Sequence, residues 1–286
     1  MILYHNEPQM TLNFTKMHGL GNDFIVIDAV RQSFELDKQT IAALANRNTG
    51  IGFDQCLLVE PGINSDVDFF YRIFNANGEE VGQCGNGARC LARFVLHYKL
   101  TNKRQLTVAT KTTRMRLQIN GDDTVTVDFG LPNLDPKLIP LHADKQVPHY
   151  NLPLLDGSVH TVSALSVGNP HAISVVNHLQ TTPVTTLGKE ISEHRLFPEQ
   201  TNAGFMEIIS ENKINLRVYE RGCGETSACG SGAVAAAAIG RLFHQLAAKI
   251  EVMVPGGLLV VDWPDLNGPI SLTGPANFVF EGTVCI

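Results

Sequence analysis

The chain has no block of basic residues. Its 22 Lys and Arg stand against 28 Asp and Glu, a net charge of -6, which argues against nucleic acid or an anionic membrane as the main partner. No apolar run approaches the roughly 20 residues a membrane helix needs. The opening MILYHNEPQM has neither the basic nor the apolar region of a secretory signal. Low-complexity linkers are also missing. With no secretion signal, Cys56, Cys84, Cys90, Cys223, Cys229 and Cys285 are expected to be reduced thiols in a cytosol rather than a disulfide framework. Structural zinc is not expected either. The pairs Cys84/Cys90 and Cys223/Cys229 are spaced Cys-x5-Cys, wider than the usual two to four intervening residues. Residues 1–9, ahead of Met10, read as an upstream extension or a frayed tail.

What is present is an ordinary globular composition, 44% hydrophobic and 17% charged over 286 residues. That length is greater than one typical core and favours two domains. An internal duplication supports this. Arg72–Ala92 reads RIFNANGEEVGQCGNGARCLA, and Arg217–Ala237 reads RVYERGCGETSACGSGAVAAA. Arg, Ile or Val, Phe or Tyr, Glu80 or Glu225, and a Cys-Gly-x-Gly-Ala run recur at an offset of 145. Gly21-Asn22 precedes Cys84 by about 60 residues, and Gly168-Asn169 precedes Cys229 by about 60.

Periodicity fills in the elements. Strands are expected at 13–17 and 24–29, with Asp37 as the N-cap of a helix through Ala45. Strands at 55–60 and 67–74 follow. Ala88, Leu91, Ala92 and Val95 mark one face of a helix after Cys84. Strands at 106–110, 115–119 and 124–129 lead into the proline-containing segment 130–150, where a domain boundary is placed. The second half repeats the plan, with two strands around SVGNPH, a helix at 187–194, strands at 205–210 and 213–219, and a helix from Cys229 through about Ala248. The first turns of that last helix are nearly all Ala and Val, so it is expected to be buried. The fold class is therefore α/β of the α+β type, with two pseudo-symmetric domains, each a curved, mostly antiparallel sheet around a central helix. Residues 1–130 with about 275–286 form the domain carrying Cys84, and 131–274 the domain carrying Cys229.

Cys84 and Cys229 each sit in a glycine-rich turn that opens a helix. Unpaired N–H groups and the helix dipole favour negative charge there, so both thiols are expected to ionise below the free value of roughly 8.5. The same N–H groups suit a carboxylate. Two like loops facing one cleft would present a sulfur to each side of a carbon. A thiolate and a thiol can then remove and return a proton, inverting a stereocentre without metal or organic cofactor. Cys56, Cys90 and Cys285 are expected to be merely buried. Arg72 and Arg217 read as structural residues pairing within each domain, and Glu80 and Glu225 as turn or capping residues.

HGLGNDFIVID, GFDQ, FNANG, CGNGAR, VGNPH and ERGCGETSACGSGA resemble the signature motifs of diaminopimelate epimerase, in order from about residue 14 to residue 243. The resemblance implies two pseudo-symmetric domains and a cofactor-independent, two-cysteine interconversion of LL- and meso-diaminopimelate. It also implies a place in lysine and peptidoglycan synthesis in the bacterial cytoplasm, and a homodimer. Cys84 and Cys229 match the acid/base pair. His171 and Glu220 match polar residues that assist the thiols. Asn22, Gln55, Asn75, Asn169, Asn202, Glu220 and Arg221 match the substrate-binding set. Gly85-Asn86 and Gly230-Ser231 match the segments that hold the α-carboxylate. No metal is implied. Arg221 suits a distal carboxylate, and the Asn and Gln side chains suit ammonium and carboxylate alike. Cys223 stands where the family often has a small or apolar residue, and Phe129 where it often has Met.

Two other readings remain open. Proline racemase, hydroxyproline epimerase and relatives acting on other amino acids also use paired cysteines, and the intact distal set favours diaminopimelate over their substrates. Phenazine-type isomerases share the fold but lack the cysteine pair. A non-catalytic thiol switch, with the two cysteines as a regulatory disulfide, is the alternative outside enzymology.

Overall fold

The computed structural model describes residues 11–82 and 84–286. The N-terminal residues 1–9, expected as an extension or tail, lie outside the described residues. The chain groups into two compact units. One comprises Thr11–Gly19 with 23–125 and 276–286, and the other comprises 20–22 with 126–275.

The first unit opens with strands β1 (Thr11–Gly19) and β2 (Asn22–Asp28), then helix α1 (Lys38–Ala45). Asp37 caps α1 by accepting from the Thr40 N–H at 2.7 Å, a contact worth about 1 kcal/mol. Strands β3 (Gln55–Pro61), β4 (Phe69–Asn75) and β5 (Glu80–Val81) lead to helix α2 (Gly85–His97), then β6 (Gln105–Ala109) and β7 (Arg114–Ile119). The face expected from spacing is the buried one: Ala88, Leu91, Ala92 and Val95 are all fully enclosed. Burial goes further round α2 than the apolar pattern shows and takes in Arg89 and Cys90.

The second unit continues with β8 (Val125–Asp128), β9 (Tyr150–Pro153), β10 (Val159–Ser166) and β11 (Pro170–Val175). Helix α3 (Val184–Ser192) follows, then β12 (Asn202–Ser210), β13 (Lys213–Glu220) and β14 (Gly224–Thr226). Helix α4 (Gly230–Phe243) precedes β15 (Lys249–Val254), β16 (Gly257–Asp262) and β17 (Ser271–Gly274). The last strand, β18 (Asn277–Cys285), belongs to the first unit and pairs antiparallel with β1.

The two units repeat one register. Phe24 pairs with Gln55 across parallel β2/β3, and His171 with Asn202 across parallel β11/β12. Ile73 pairs with Val81 across antiparallel β4/β5, and Val218 with Thr226 across β13/β14. A second parallel pairing recurs as β4/β6 and β13/β15. The sheets are otherwise mostly antiparallel, so each unit is a mixed sheet around its own helix. In the second unit Ala233–Ile239 of α4 are all buried. Alanine side chains let the sheet close on the helix, and each buried Ile or Val there is worth about 1.5–3 kcal/mol.

Several details differ from the sequence expectation. Helix α4 stops at Phe243, not near Ala248. Gln245 takes a left-handed backbone (φ 58°), and the His244 and Leu246 N–H groups both return to the Gly240 carbonyl. Leu246 folds onto Gly240, where a Cβ would have no room. Helix α3 starts three residues earlier than expected and ends at Ser192. Cys285 is exposed, because β18 buries little of its length, whereas Cys56 and Cys90 are buried.

Glu80 and Glu225 are not caps. Each forms a two-bond ion pair with the arginine eight residues before it. Arg72 meets Glu80 at 3.2 and 3.0 Å, and Arg217 meets Glu225 at 2.6 and 2.9 Å. The pairs tie β4 to β5 and β13 to β14, just ahead of each Cys-Gly loop, and give both arginines the structural role expected of them.

Candidate active site

In the second unit the site is built on the start of α4. Cys229 is its N-cap, in extended backbone, and is 4% exposed. Gly232 leaves the thiol its room: a Cβ there would come 3.2 Å from the Cys229 sulfur and 2.9 Å from Val218 Cγ2. Ser231 Oγ lies 3.6 Å from the sulfur. The His171 ring reaches Ser231 Oγ at 3.0 Å and Asn169 Oδ1 at 3.1 Å, both through Nε2. Asn169 Oδ1 can only accept, so Nε2 carries the proton. Ser231 Oγ accepts from His171 and, at 3.3 Å, from Asn169 Nδ2. That leaves the hydroxyl proton of Ser231 for the Cys229 sulfur. His171 Nδ1 is buried, with no partner among the described residues.

The titration of these groups follows from burial. Desolvation, helped by the Arg221 charge, pulls His171 down to about 3, so the imidazole is neutral at pH 7. Burial likewise pushes Cys229 well above its ordinary value, and the Glu220 carboxylate, hydrogen-bonded to the thiol, pushes it further. Ser231 and the Gly232 N–H pull the other way and are outweighed. The expectation that a helix start would acidify this thiol is therefore corrected. The sulfur is stripped of water and faces a carboxylate, which together outweigh the hydrogen bonds from Ser231 and the Gly232 N–H. Cys229 rests as a thiol whose proton is directed to Glu220. Thr226 Oγ1 donates to Glu220 Oε1 at 2.5 Å and fixes the carboxylate.

Asn202 and Arg221 sit beside this cluster. The buried Asn202 donates to the Pro170 carbonyl at 3.1 Å and accepts from the Arg221 N–H at 3.0 Å. Its amide locks the strand ends together. Arg221 is exposed, with Nη1 on the Glu199 carbonyl at 2.7 Å, and its other guanidinium nitrogens make no hydrogen bond among the described residues. Asn22 groups with this unit. Its loop passes Ser227, since a Cβ at Gly21 would come 3.3 Å from Ser227 Cβ. Gly21 and Gly168 hold φ of 89° and 97°, the left-handed turn both Gly-Asn loops require.

In the first unit Cys84 is the N-cap of α2 and accepts from the Gly87 N–H at 3.3 Å. Unlike Cys229 it is only half-buried. Gly85 and Asn86 begin the helix, and Asn86 is 4% exposed, with Oδ1 accepting from Arg89 Nη2 at 2.9 Å. The Asn86 side chain is therefore engaged within the protein, and the N–H groups of the helix start are the donors such a turn offers a carboxylate. Gln55 and Asn75 face each other across β3/β4, with Gln55 Nε2 donating to Asn75 Oδ1 at 2.9 Å. Gln55 Oε1 is buried, with no hydrogen-bond partner among the described residues.

The structure thus gathers Asn169, His171, Asn202, Glu220, Arg221, Cys229, Gly230 and Ser231 in one unit, and Gln55, Asn75, Cys84, Gly85 and Asn86 in the other. Sequence reading missed Thr226, which holds Glu220, and the buried Tyr71 and Arg89 of the first unit. Thr226 and Arg89 were visible inside the ETSAC and CGNGAR runs. Nothing in periodicity marks an arginine on a helix for complete burial. Among the described residues no three His, Cys, Asp or Glu side chains are grouped to hold a metal ion. No described helix is long and apolar enough to cross a membrane.

The family model described as diaminopimelate epimerase matches residues 14–134 and 163–279. The diaminopimelate epimerase of Legionella pneumophila strain Philadelphia 1 is 62% identical over 275 residues, covering 96% of this chain and 99% of that protein. The strain Corby protein of the same name is 61% identical with the same coverage. Solved structures share the fold at low identity. A hydroxyproline epimerase from Agrobacterium vitis superposes with a TM-score of 0.70 at 13% identity, covering 96% of this chain and 93% of that one. A Bacillus anthracis phenazine biosynthesis protein of the PhzF family gives 0.65 at 17%, covering 97% and 100%. With the family model spanning most of both halves and relatives above 60% identity along nearly the whole chain, the chain belongs to the diaminopimelate epimerase family.

Proposed function

We propose that the chain interconverts LL- and meso-diaminopimelate by a two-thiol proton transfer, with Cys84 and Cys229 acting on opposite faces of one α-carbon. The observation that carries this is the pairing of thiol with helix start. Each sulfur is the N-cap residue of a helix, at the same point of a repeated fold. One sulfur, as thiolate, takes the α-proton, and the other, as thiol, returns one from the far side. In that scheme the N–H groups at Gly85-Asn86 and Gly230-Ser231 hold the α-carboxylate and stabilise the developing carbanion. His171, neutral and linked through Ser231, keeps the Cys229 sulfur oriented, and Glu220 receives and returns its proton.

Asn22, Gln55, Asn75, Asn169, Asn202, Glu220 and Arg221 form the binding set, with the free guanidinium fork of Arg221 on the distal carboxylate. A substrate lacking that second amino-acid end leaves these groups unpaired and is rejected. Each unit would be one domain supplying one thiol. The same reading expects a homodimer working in the cytoplasm, without metal or organic cofactor. The decisive test is hydrogen exchange. Folded, reduced protein incubated with LL-diaminopimelate in D2O gains one deuterium at an α-carbon, and no incorporation overturns the assignment.

A further inference from the structure

At the start of the parallel pair β2/β3 stand four charged side chains that this scheme does not use. Arg47, in the turn after α1, spans two carboxylates. Its Nη1 donates to Asp23 Oδ2 at 2.9 Å, and its Nη2 donates to Asp23 Oδ1 at 2.7 Å and to Asp54 Oδ1 at 2.8 Å. The two aspartates also hold each other's backbone. The Asp54 N–H donates to the Asp23 carbonyl and to Asp23 Oδ1, both at 3.0 Å, and the Asp23 N–H returns to Asp54 Oδ2 at 3.2 Å. Lys16, buried on β1, pairs with Asp23 Oδ2 at 2.6 Å and donates to the Gly52 carbonyl. Gly52 has a left-handed backbone (φ 75°), and a Cβ there would come 2.9 Å from Arg47 Cα. The chain between α1 and β3 is thus packed against Arg47.

As a source of stability this cluster is modest. The Arg47 side chain is 57% exposed, and ion pairs at such exposure are largely screened. As a source of geometry it is well placed. Asp54 directly precedes Gln55, and Asp23 precedes Phe24, the residue that pairs with Gln55 across β2/β3. Two carboxylates this close repel unless a cation bridges them, so Arg47 keeps the strand ends together. Gln55 Nε2 donates to Asn75 Oδ1 at 2.9 Å, and Gln55 Oε1 is buried with no hydrogen-bond partner among the described residues. A buried acceptor left open is destabilising until a donor fills it.

The second unit closes the same place in another way. His171 and Asn202 are the matched pair, and Pro170 and Thr201 stand where Asp23 and Asp54 do. Neither carries a charge. Asn202 itself ties the strand ends, donating to the Pro170 carbonyl at 3.1 Å and accepting from the Arg221 N–H at 3.0 Å. In the first unit the charged cluster performs that task, which leaves Gln55 Oε1 for another partner.

We propose that Arg47 is a positioning residue for substrate binding: closed on Asp23 and Asp54, it fixes the start of β3 and so holds the Gln55 amide, against Asn75, in place for a donor group of the substrate. The inference rests on the reading of Gln55 as a substrate-binding residue.

The test is the calorimetric Kd of LL-diaminopimelate for folded, reduced, full-length protein. Arg47→Met weakens binding about tenfold. Arg47→Lys supplies one point charge that cannot hold both carboxylates, and weakens it about threefold. Gln55→Ala weakens binding about tenfold. Adding Arg47→Met to Gln55→Ala weakens it by less than about a further twofold, because effects that run through one side chain are not additive. A merely structural Arg47 would weaken both backgrounds equally.

An unchanged Kd in folded Arg47→Met, or the full tenfold loss in the Gln55→Ala background, overturns the proposal. Where Arg47→Met fails to fold, Arg47→Lys takes its place in the same comparison, and an equal loss in both backgrounds overturns it. Deuterium incorporation measured on the same samples separates the two readings. The expected pattern of Kd values without exchange sinks the epimerase assignment and leaves the Arg47 effect standing. Exchange with additive losses sinks only the Arg47 inference, and no binding by the wild type overturns both.

Discussion

The starts of α2 and α4 share a backbone and differ in nearly everything that carries charge. Each has a cysteine N-cap, a glycine three residues on, and an Arg–Glu ion pair eight residues apart on the preceding strands. At matched places of the repeat, Asn75 is replaced by Glu220, Tyr71 by Leu216 and Arg89 by Val234, and in the matched strand register Phe24 is replaced by His171. The first unit buries Arg89 in the opening turns of α2, whereas Cys229 has the half-buried Glu220 carboxylate on its thiol and the neutral His171 imidazole linked to it through Ser231. The duplication preserved the geometry needed to present a sulfur at a helix start. Divergence then gave the two sulfurs different surroundings: Cys229 is 4% exposed beside the Glu220 carboxylate, and Cys84 is half-buried. A proton-transfer pair benefits from that difference, because one member must begin charged and the other neutral.

The largest test of the comparison removes each sulfur in turn. Cys84→Ala and Cys229→Ala should each lower epimerisation by about a thousandfold or more, measured as conversion of LL- to meso-diaminopimelate. Normal turnover in either variant would show that one thiol suffices and would break the two-base scheme.

The next contrast is steric. An alanine at Gly232 meets Val218 Cγ2 at 2.9 Å and the Cys229 sulfur at 3.2 Å, whereas at Gly87 the nearest atom is Leu57 Cδ2 at 3.2 Å. Gly232→Ala should cost about 1–3 kcal/mol in urea unfolding. Gly87→Ala should sit near neutral, since the roughly 1 kcal/mol gained in helix propensity offsets a milder contact. Equal costs at the two sites would show that the second unit accommodates the added methyl as readily as the first.

Acid should weaken the two units over different ranges. Folding holds His171 at about 3, while the unfolded chain protonates it near roughly 6.5. The unfolded state therefore takes up the proton first, and stability falls as pH drops from about 6.5 toward 3, by up to about 1.4 kcal/mol per pH unit. His160 and His244, also in the second unit, are lowered by burial and add to the same window. In the first unit the carboxylate most strongly shifted is Asp23. Burial works against its charge, but hydrogen bonds from Arg47 and Lys16 prevail and hold it far below the carboxylate range. Its contribution is present above about pH 4 and is lost below that. Urea midpoints between pH 7 and 5 should fall for the wild type and flatten for His171→Gln. An unchanged slope would place the buried imidazole outside this linkage.

The smallest effect concerns the shared scaffold. Arg72→Met and Arg217→Met should each cost about 1 kcal/mol by thermal or urea unfolding, as partly exposed bidentate pairs do. Arg217 should cost the more, because it also donates to the Leu179 and Thr182 carbonyls at 3.1 and 3.3 Å.

Much of the fold was legible because duplication writes the same pattern twice. The N-cap at Asp37, the buried face of α2, the apolar α4 and the two Gly-Asn loops all follow from local rules of spacing and capping. The end of α4 was not legible, since the Gly240–Leu246 contact that turns the chain back depends on a side chain reaching across space. The roles of Glu80 and Glu225 were missed for a related reason. A glutamate four residues before a cysteine looks like a cap in one dimension, and only strand pairing sets it beside the arginine eight residues earlier.

The sequence alone singled out the candidate chemical residues: two cysteines in repeated glycine-rich turns, and the polar residues around them. Tertiary structure decided how Cys229 and His171 titrate. Proton affinity depends on water removed and on charges brought near, and neither quantity is local in the chain. A helix start by itself argues for two acidic thiols. Packing then withdrew Cys229 from water beside Glu220 and left Cys84 half-buried.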